Sequence, residues 1–526
     1  VAFNSYGFLF VFLPIFVACY RGAARLGPRW LRLGVLVGAG LAFYALASLR
    51  TLPVLLASLA GNFIASRLIL ATEGKARARW LALAVGGNVA ALVGIKYSGF
   101  LLANFAMPAA SAPSLASFAL PLGISFFTFQ QIAFLVDTAR GLTGRPRPLT
   151  YLASIVFVPT LVSGPITFFR EFAPQVEGGP AAGEAGTDLT IGACQFGIGL
   201  FKKTMIADTM AFWVDPFFAR AVGAPVGAGQ VWAMVLGYLL LMYFDFSGYS
   251  DMALGLARML GVRLPSNFHS PLRVTSIIDW WRRWHMSLGR FVNDYVFQSL
   301  ALPLSRWGAR NRLSRWGMVA CGALVPSAMS MLVIGAWHGG KWTYFVFGAL
   351  HGGFMVTAEA WRFWGRERRR RAARAAGPAG RSAVRSQSVW SGLLGNLGTL
   401  LVVLVALVPF RAANMATAVA LWQAMIGLGP ATAPNDWPGL PGAGPAVPLA
   451  ELAAGLAFCW LLPNTAQLLA RFEPMLDWNR WSLVSMPLVR LYWRPSLVGG
   501  LALGMVWLLA LAMISRGCNS FVYFAF

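Results

Sequence analysis

GQVWAMVLGYLLLMYFDFSGYSDMALGLA, residues 229–257, is largely apolar and carries only two charged side chains, Asp245 and Asp251. A helix crosses the hydrocarbon core of a bilayer with roughly 20 mostly apolar residues, and this stretch exceeds that length. Similar runs recur along the chain, at about 7–20, 33–49, 51–71, 80–106, 115–138, 151–169, 189–216, 317–337, 341–361, 389–410, 448–470 and 496–515. About 11 of them are expected to span. Composition agrees: 58% of the 526 residues are hydrophobic and 12% charged, with a mean hydropathy of +0.63. A soluble chain carries about a quarter charged residues.

Backbone groups in lipid have no water to bond, so only helices and closed barrels span it. The runs are continuous and lack the alternating pattern of barrel strands. The fold class is therefore all-α, a polytopic integral membrane protein. The net charge of +25 would suit a nucleic-acid binder. Here, however, Lys and Arg gather in short segments between apolar runs, at 21–32, 75–79, 140–147, 258–263, 306–315 and 362–385. That is how cytoplasmic loops are marked, so nucleic acid is not an expected partner. Loops near 107–114 and 429–447 lack Lys and Arg, which puts them and both termini outside the cytoplasm. VAFNSYGFLFVFLPIF, at the start, is read as a retained first span because it has no basic leader and no clear cleavage site.

Several segments depart from simple spans. Run 151–169, YLASIVFVPTLVSGPITFF, contains Pro159, Gly164 and Pro165 and is expected to be re-entrant, since broken helix at membrane depth survives only inside protein or along a cavity. Segment 274–300 mixes Arg282, Arg283 and Arg290 with Trp280, Trp281 and Trp284, and is read as interfacial or folded into the protein, not spanning. Stretch 362–385 reads as a flexible basic loop that attracts anionic lipid, and 429–447 as an irregular external loop. The organisation expected is a core over 1–365, a basic cytoplasmic loop over 366–388 and a C-terminal transmembrane region over 389–526. The five cysteines show no metal-type spacing and are expected to be buried small side chains, with no metal site.

Ionisable groups in membrane sequence are costly, so each is a candidate for function. His338, between Gly335 and the pair Gly339 and Gly340, is the first candidate for a general base, because a neutral imidazole takes a proton at ordinary pH. A histidine merely bonding between helices would look the same in sequence. His285, in DWWRRWHMSL, either is held neutral by its basic surroundings or pointed by them at an acidic substrate group such as a phosphate, or is a residue of an interfacial aromatic belt. His351 reads as packing and His269 as a loop residue. Asp245, Tyr249 and Asp251 either line a polar funnel or pair with the arginines of 274–300, and pairing is favoured. No nucleophile elbow, phosphate-binding loop or zinc-protease helix is present.

Seven motifs in order carry a family resemblance: FNSYGFLFVFLPIF (3–16), LPLGISFFTFQQIAFLVD (120–137), VPTLVSGPITFFREF (158–172), GLFKKTMIAD (199–208), YFDFSGYSDMALGL (243–256), WWRRWHMSL (280–288) and GAWHGGKWTYFVFGALHG (335–352). The chain resembles the membrane-bound O-acyltransferase family, in the bacterial branch of the alginate O-acetyltransferase membrane subunit and the teichoic-acid D-alanyl transfer protein. That resemblance implies tilted helices around a thin floor, with a tunnel joining two funnels. It implies a catalytic His338 with His285 nearby. Trp284, Trp337, Arg282, Arg283, Asp245, Tyr249 and Asp251 are then candidates for substrate binding or for lining the tunnel. It implies a cytoplasmic acyl-CoA donor such as acetyl-CoA, no bound cofactor and no metal. The acceptor would be an extracytoplasmic glycan hydroxyl or a periplasmic relay protein, and the location the bacterial inner membrane, in contact with lipid. An acyltransferase acting on lipid or protein, and a small-solute transporter, are the alternatives. The sequence departs from the family at RFVNDYVFQSLALPLSRWGARNR (290–312), where Asn293 replaces the usual Arg, and the tail from about 389 carries no recognisable motif.

Overall fold

A computed structural model describes residues 2–106, 120–178, 185–220, 226–375, 389–429 and 445–515. Among these residues the regular structure is helical throughout, and the only extended pairing is an isolated bridge between Phe268 and Trp284. Six helical stretches are long and apolar enough to cross a membrane: Phe8–Arg25, Arg29–Ala71, Gly74–Lys96, Ala228–Met259, Arg315–His338 and Trp390–Arg411. The second of these contains two 20-residue helices, Arg29–Ser48 and Leu52–Ala71, joined by a 3₁₀ turn. Met415–Met425, Ala446–Leu461 and Leu497–Met513 are apolar but shorter.

Three further apolar runs give shortened or interrupted helices inside the protein. Run 115–138 yields Ile124–Ala139, buried along nearly its whole length. Its polar side chains find partners there: Gln131 donates to Ser58 at 2.8 Å and accepts from the Tyr151 hydroxyl at 2.9 Å, while Arg170 bonds both oxygens of Asp137. Run 151–169 gives only Pro148–Ile155, after which residues 156–168 run without helix, all buried. This is the broken, protein-enclosed element that its prolines and glycine led us to expect. Run 189–216 divides at a π-helical turn, Lys202–Ala207, between Ala185–Phe201 and Asp208–Arg220.

Other expectations need adjustment. Residues 366–375, read as the start of a loop, continue the helix Trp342–Ala375. Arginine is a good helix former, and Glu367 accepts from Arg315 and lies one turn from Arg371, so the basic run has local helical support. Residues 376–388, the loop near 107–114 and most of 429–447 lie outside the described residues. Cys194, Cys321 and Cys459 are buried as expected, whereas Cys19 is exposed on the first helix, and Cys518 lies outside the described residues.

The chain divides into two compact units, one made of Val1–Phe212, Leu240–Asn267 and Leu461–Phe526, the other of Trp213–Leu239 and Phe268–Trp460. In the first, backbones meet at paired glycines. A Cβ on Gly192 would lie 2.6 Å from the Gly255 carbonyl, and one on Gly199 would lie 2.5 Å from that of Gly248. The two contacts are seven residues apart on each strand of chain and run in opposite senses, so Ala185–Phe201 crosses residues 248–255 as an antiparallel neighbour. Small residues make such close approach available, and it brings the lysines that follow Phe201 up to the aspartates of the opposing helix. In the second unit, Val325–His338 and Trp342–Ala375 form a hairpin whose contact is again glycine on glycine. A Cβ on Gly335 would lie 2.5 Å from the Tyr344 carbonyl and 2.8 Å from Gly348 Cα.

Candidate active site

That hairpin sets His338. The helix Val325–His338 stops at Gly339, whose backbone is extended, and the chain restarts as helix at Trp342. His338 is thus a buried last residue of one helix, facing the first turns of the next. Rings enclose its imidazole: Trp337 at 4.8 Å between centroids, Phe347 at 5.9 Å and edge-on, and Tyr344 at 6.1 Å. A fourth ring, Phe410, comes from the end of the helix Val389–Arg411 and stands edge-on at 4.8 Å.

His285 joins two seven-residue helices, Ile277–Arg283 and Met286–Val292, in the left-handed region with φ 46° and ψ 52°. A non-glycine residue is held there only when its surroundings over-determine it, and such strain gathers at functional sites. Those restraints are visible. The Trp284 N–H donates to the Trp280 carbonyl at 2.8 Å, the Gly289 N–H to the His285 carbonyl at 3.0 Å, and the His269 N–H to the Arg283 carbonyl at 3.2 Å. The Trp284 ring stacks on Trp280 and meets the edge of Phe268. His285 is buried and lies 6.0 Å from the Trp337 ring. One indole, Trp337, therefore contacts both imidazoles. His285 lies outside the six membrane-length helices, and burial pushes its imidazole down to about 3, which keeps it neutral with one N–H to donate.

His351, which the sequence assigned to packing, belongs to the same cluster. It sits one helical turn beyond Phe347, with their rings 4.6 Å apart, and its Nδ1 accepts from the Trp281 indole at 3.2 Å. The motif segments WWRRWH and GALHG are thereby tied together. The i, i+4 spacing of Phe347 and His351 is the signal that was available in the sequence. Phe410 was missed because it lies in the tail without motifs.

Arg282 is exposed, and Arg283 pairs with Asp279 at 2.6 Å, one turn back on its own helix. Asp245, Tyr249 and Asp251 belong to the first unit. Asp251 receives Lys202 at 2.6 Å and the Thr465 hydroxyl at 2.6 Å, while Lys203 bridges Asp245 at 2.7 Å and Asp208 at 2.8 Å. Structural pairing was favoured for these carboxylates, but toward the arginines of 274–300; lysines from the turn after Phe201 take that place. Tyr249 is buried, its ring stacked on Phe3 at 5.1 Å.

The sequence model of the membrane-bound O-acyltransferase family matches residues 119–386, which include all four histidines. A peptidoglycan O-acetyltransferase of Helicobacter pylori is 34% identical over 378 residues, 66% of this chain and 69% of that protein. A probable alginate O-acetylase, AlgI, of Pseudomonas aeruginosa is 33% identical over 370 residues, 68% of this chain and 66% of its own length. A teichoic acid D-alanyltransferase of Bacillus subtilis is 27% identical over 252 residues, covering 47% of this chain and 60% of the relative. With a buried histidine pair inside the matched region and several apolar helices of membrane length along the chain, the chain belongs to the membrane-bound O-acyltransferase family and is an O-acyltransferase.

Proposed function

We propose that the protein moves an acyl group, acetyl in the first instance, from a cytoplasmic acyl-CoA to a hydroxyl of an extracytoplasmic acceptor at the bacterial inner membrane. The acceptor is an envelope polysaccharide, reached directly or through a relay protein. Relatives named for peptidoglycan, alginate and teichoic acid support a polymer of the cell envelope. The observation that carries the reading is the ring-enclosed His338 with His285 across a shared indole.

In this reading His338 takes the proton of the acceptor hydroxyl as its oxygen attacks the thioester carbonyl. The neutral His285 donates to the carbonyl oxygen as negative charge gathers on it. The C–S bond then breaks, and the departing sulfur takes the proton from the His338 imidazolium. Arg and Lys in the basic cytoplasmic segments attract the CoA phosphates. The rings around His338 keep water from competing with the acceptor.

The test supplies radiolabelled acetyl-CoA to membranes containing the full chain and follows label into glycan, lipid and protein fractions. Label in the glycan, lost in a normally folded His338→Ala variant, is expected. Undiminished transfer by that variant would overturn the assignment, and label in lipid alone would replace the acceptor class.

A further inference from the structure

The helix Val389–Arg411 lies beyond the family match and carries no motif, yet it ends on the candidate base. Phe410 stands 4.8 Å from His338, 4.9 Å from Phe347 and 5.4 Å from Tyr344, so it touches three of the rings that define the site. Its position is fixed from several directions. The Asn396 side chain donates to the carbonyls of Leu272 and Val274, at 2.8 and 2.7 Å, just before the helix that leads to His285. A Cβ on Gly395 would lie 2.7 Å from the Thr275 carbonyl. The Trp422 indole donates to the Val405 carbonyl at 3.0 Å. Beside Phe410, Arg411 bonds Asp215 at 2.9 Å and lies over the rings of Phe218 and Tyr238.

We propose that Phe410 is a positioning residue for His338, held in place by Arg411 and Asp215, and that the helix Val389–Arg411 aligns the two histidine segments with each other. The inference rests on His338 being the base. Packed edge-on against the imidazole, Phe410 limits the rotations open to His338 and so holds its nitrogen toward the reacting hydroxyl. The orientation of the base matters to proton transfer in the chemical step, so Phe410 acts on the transition state and not on donor binding. Asn396 and Gly395 hold the approach to His285 from the other end of the same helix.

The test compares Phe410→Leu, Phe410→Tyr and the exposed control Leu401→Ala in the full-length protein, with acetyl-CoA as donor and the envelope glycan fraction as acceptor. Phe410→Leu is expected to lower kcat roughly tenfold with little change in KM for acetyl-CoA, and Phe410→Tyr to recover most of it. A second measurement needs no acceptor: diethyl pyrocarbonate modification of His338, followed by mass spectrometry, is expected to speed up in Phe410→Leu and not in Leu401→Ala. Wild-type kcat in Phe410→Leu beside an inactive His338→Ala would overturn the positioning role and leave the base intact. Full activity of His338→Ala would overturn both. An unchanged modification rate would show that Phe410 does not cover His338, and would also overturn the proposal.

Discussion

Replacing Gly335 with alanine puts a methyl group 2.5 Å from the Tyr344 carbonyl oxygen, 2.8 Å from Gly348 Cα and 2.9 Å from Gly348 N. All three neighbours are backbone and cannot rotate aside. Ordinary contact begins at 3.4 Å, so the two helices of the hairpin must part by ~0.9 Å in a close-packed interior. Overpacking of this kind costs about 1–3 kcal/mol of stability. The catalytic effect is expected to be larger than the stability effect. His338 lies three residues along from Gly335, while Tyr344 and Phe347 are on the other helix, so the displacement falls directly across the ring enclosure. A misplacement near 1 Å can lower a rate by ~10²-fold. Gly353, on the same second helix but with open space around it, is the control; alanine there is expected to stabilise by ~0.5–1 kcal/mol through lower backbone entropy in the unfolded chain. Purified Gly335→Ala and Gly353→Ala would be compared by thermal unfolding and by transfer from acetyl-CoA. If Gly335→Ala melted and turned over like the wild type, the claim that backbone contact at this glycine sets the site would be wrong.

Two further outcomes follow from the buried charges. Lys203→Met removes the cation between Asp208 and Asp245, all three buried, and is expected to cost about 3–5 kcal/mol, read as a lower melting temperature and poorer yield of folded protein; a variant as stable as wild type would show that the bridge holds nothing. The second concerns His285, whose folded value is pushed down to about 3 by burial while the unfolded chain protonates near 6.5. Its contribution to stability is complete above about pH 6.5 and is lost as pH falls from there toward about 3. Melting temperature is therefore expected to drop more steeply with acid in the wild type than in His285→Gln, and parallel curves would contradict this.

Much of the fold was legible in the sequence, because lipid imposes simple demands. A segment such as 229–257 must close its own hydrogen bonds, so length and apolarity alone gave helix and membrane. The interruption at 156–168 could be read from Pro159, Gly164 and Pro165, because a missing donor and a missing side chain act locally. His285 and His338 could be singled out for the same kind of reason, as polar groups in apolar surroundings. What the sequence could not supply was partnership. Asp245 and Asp251 called for cations, but which cations depended on the glycine crossing at Gly192 and Gly199, and the answer was Lys203 and Lys202. His351 could not be told from packing until Trp281 was placed beside it, and Phe410 had no motif to mark it. Periodicity and transfer energy are properties of a few neighbouring residues, and the chain alone determined them. The enclosure of His338 draws on residues more than 70 positions apart, and only tertiary packing, governed by where helix backbones can touch, decided it.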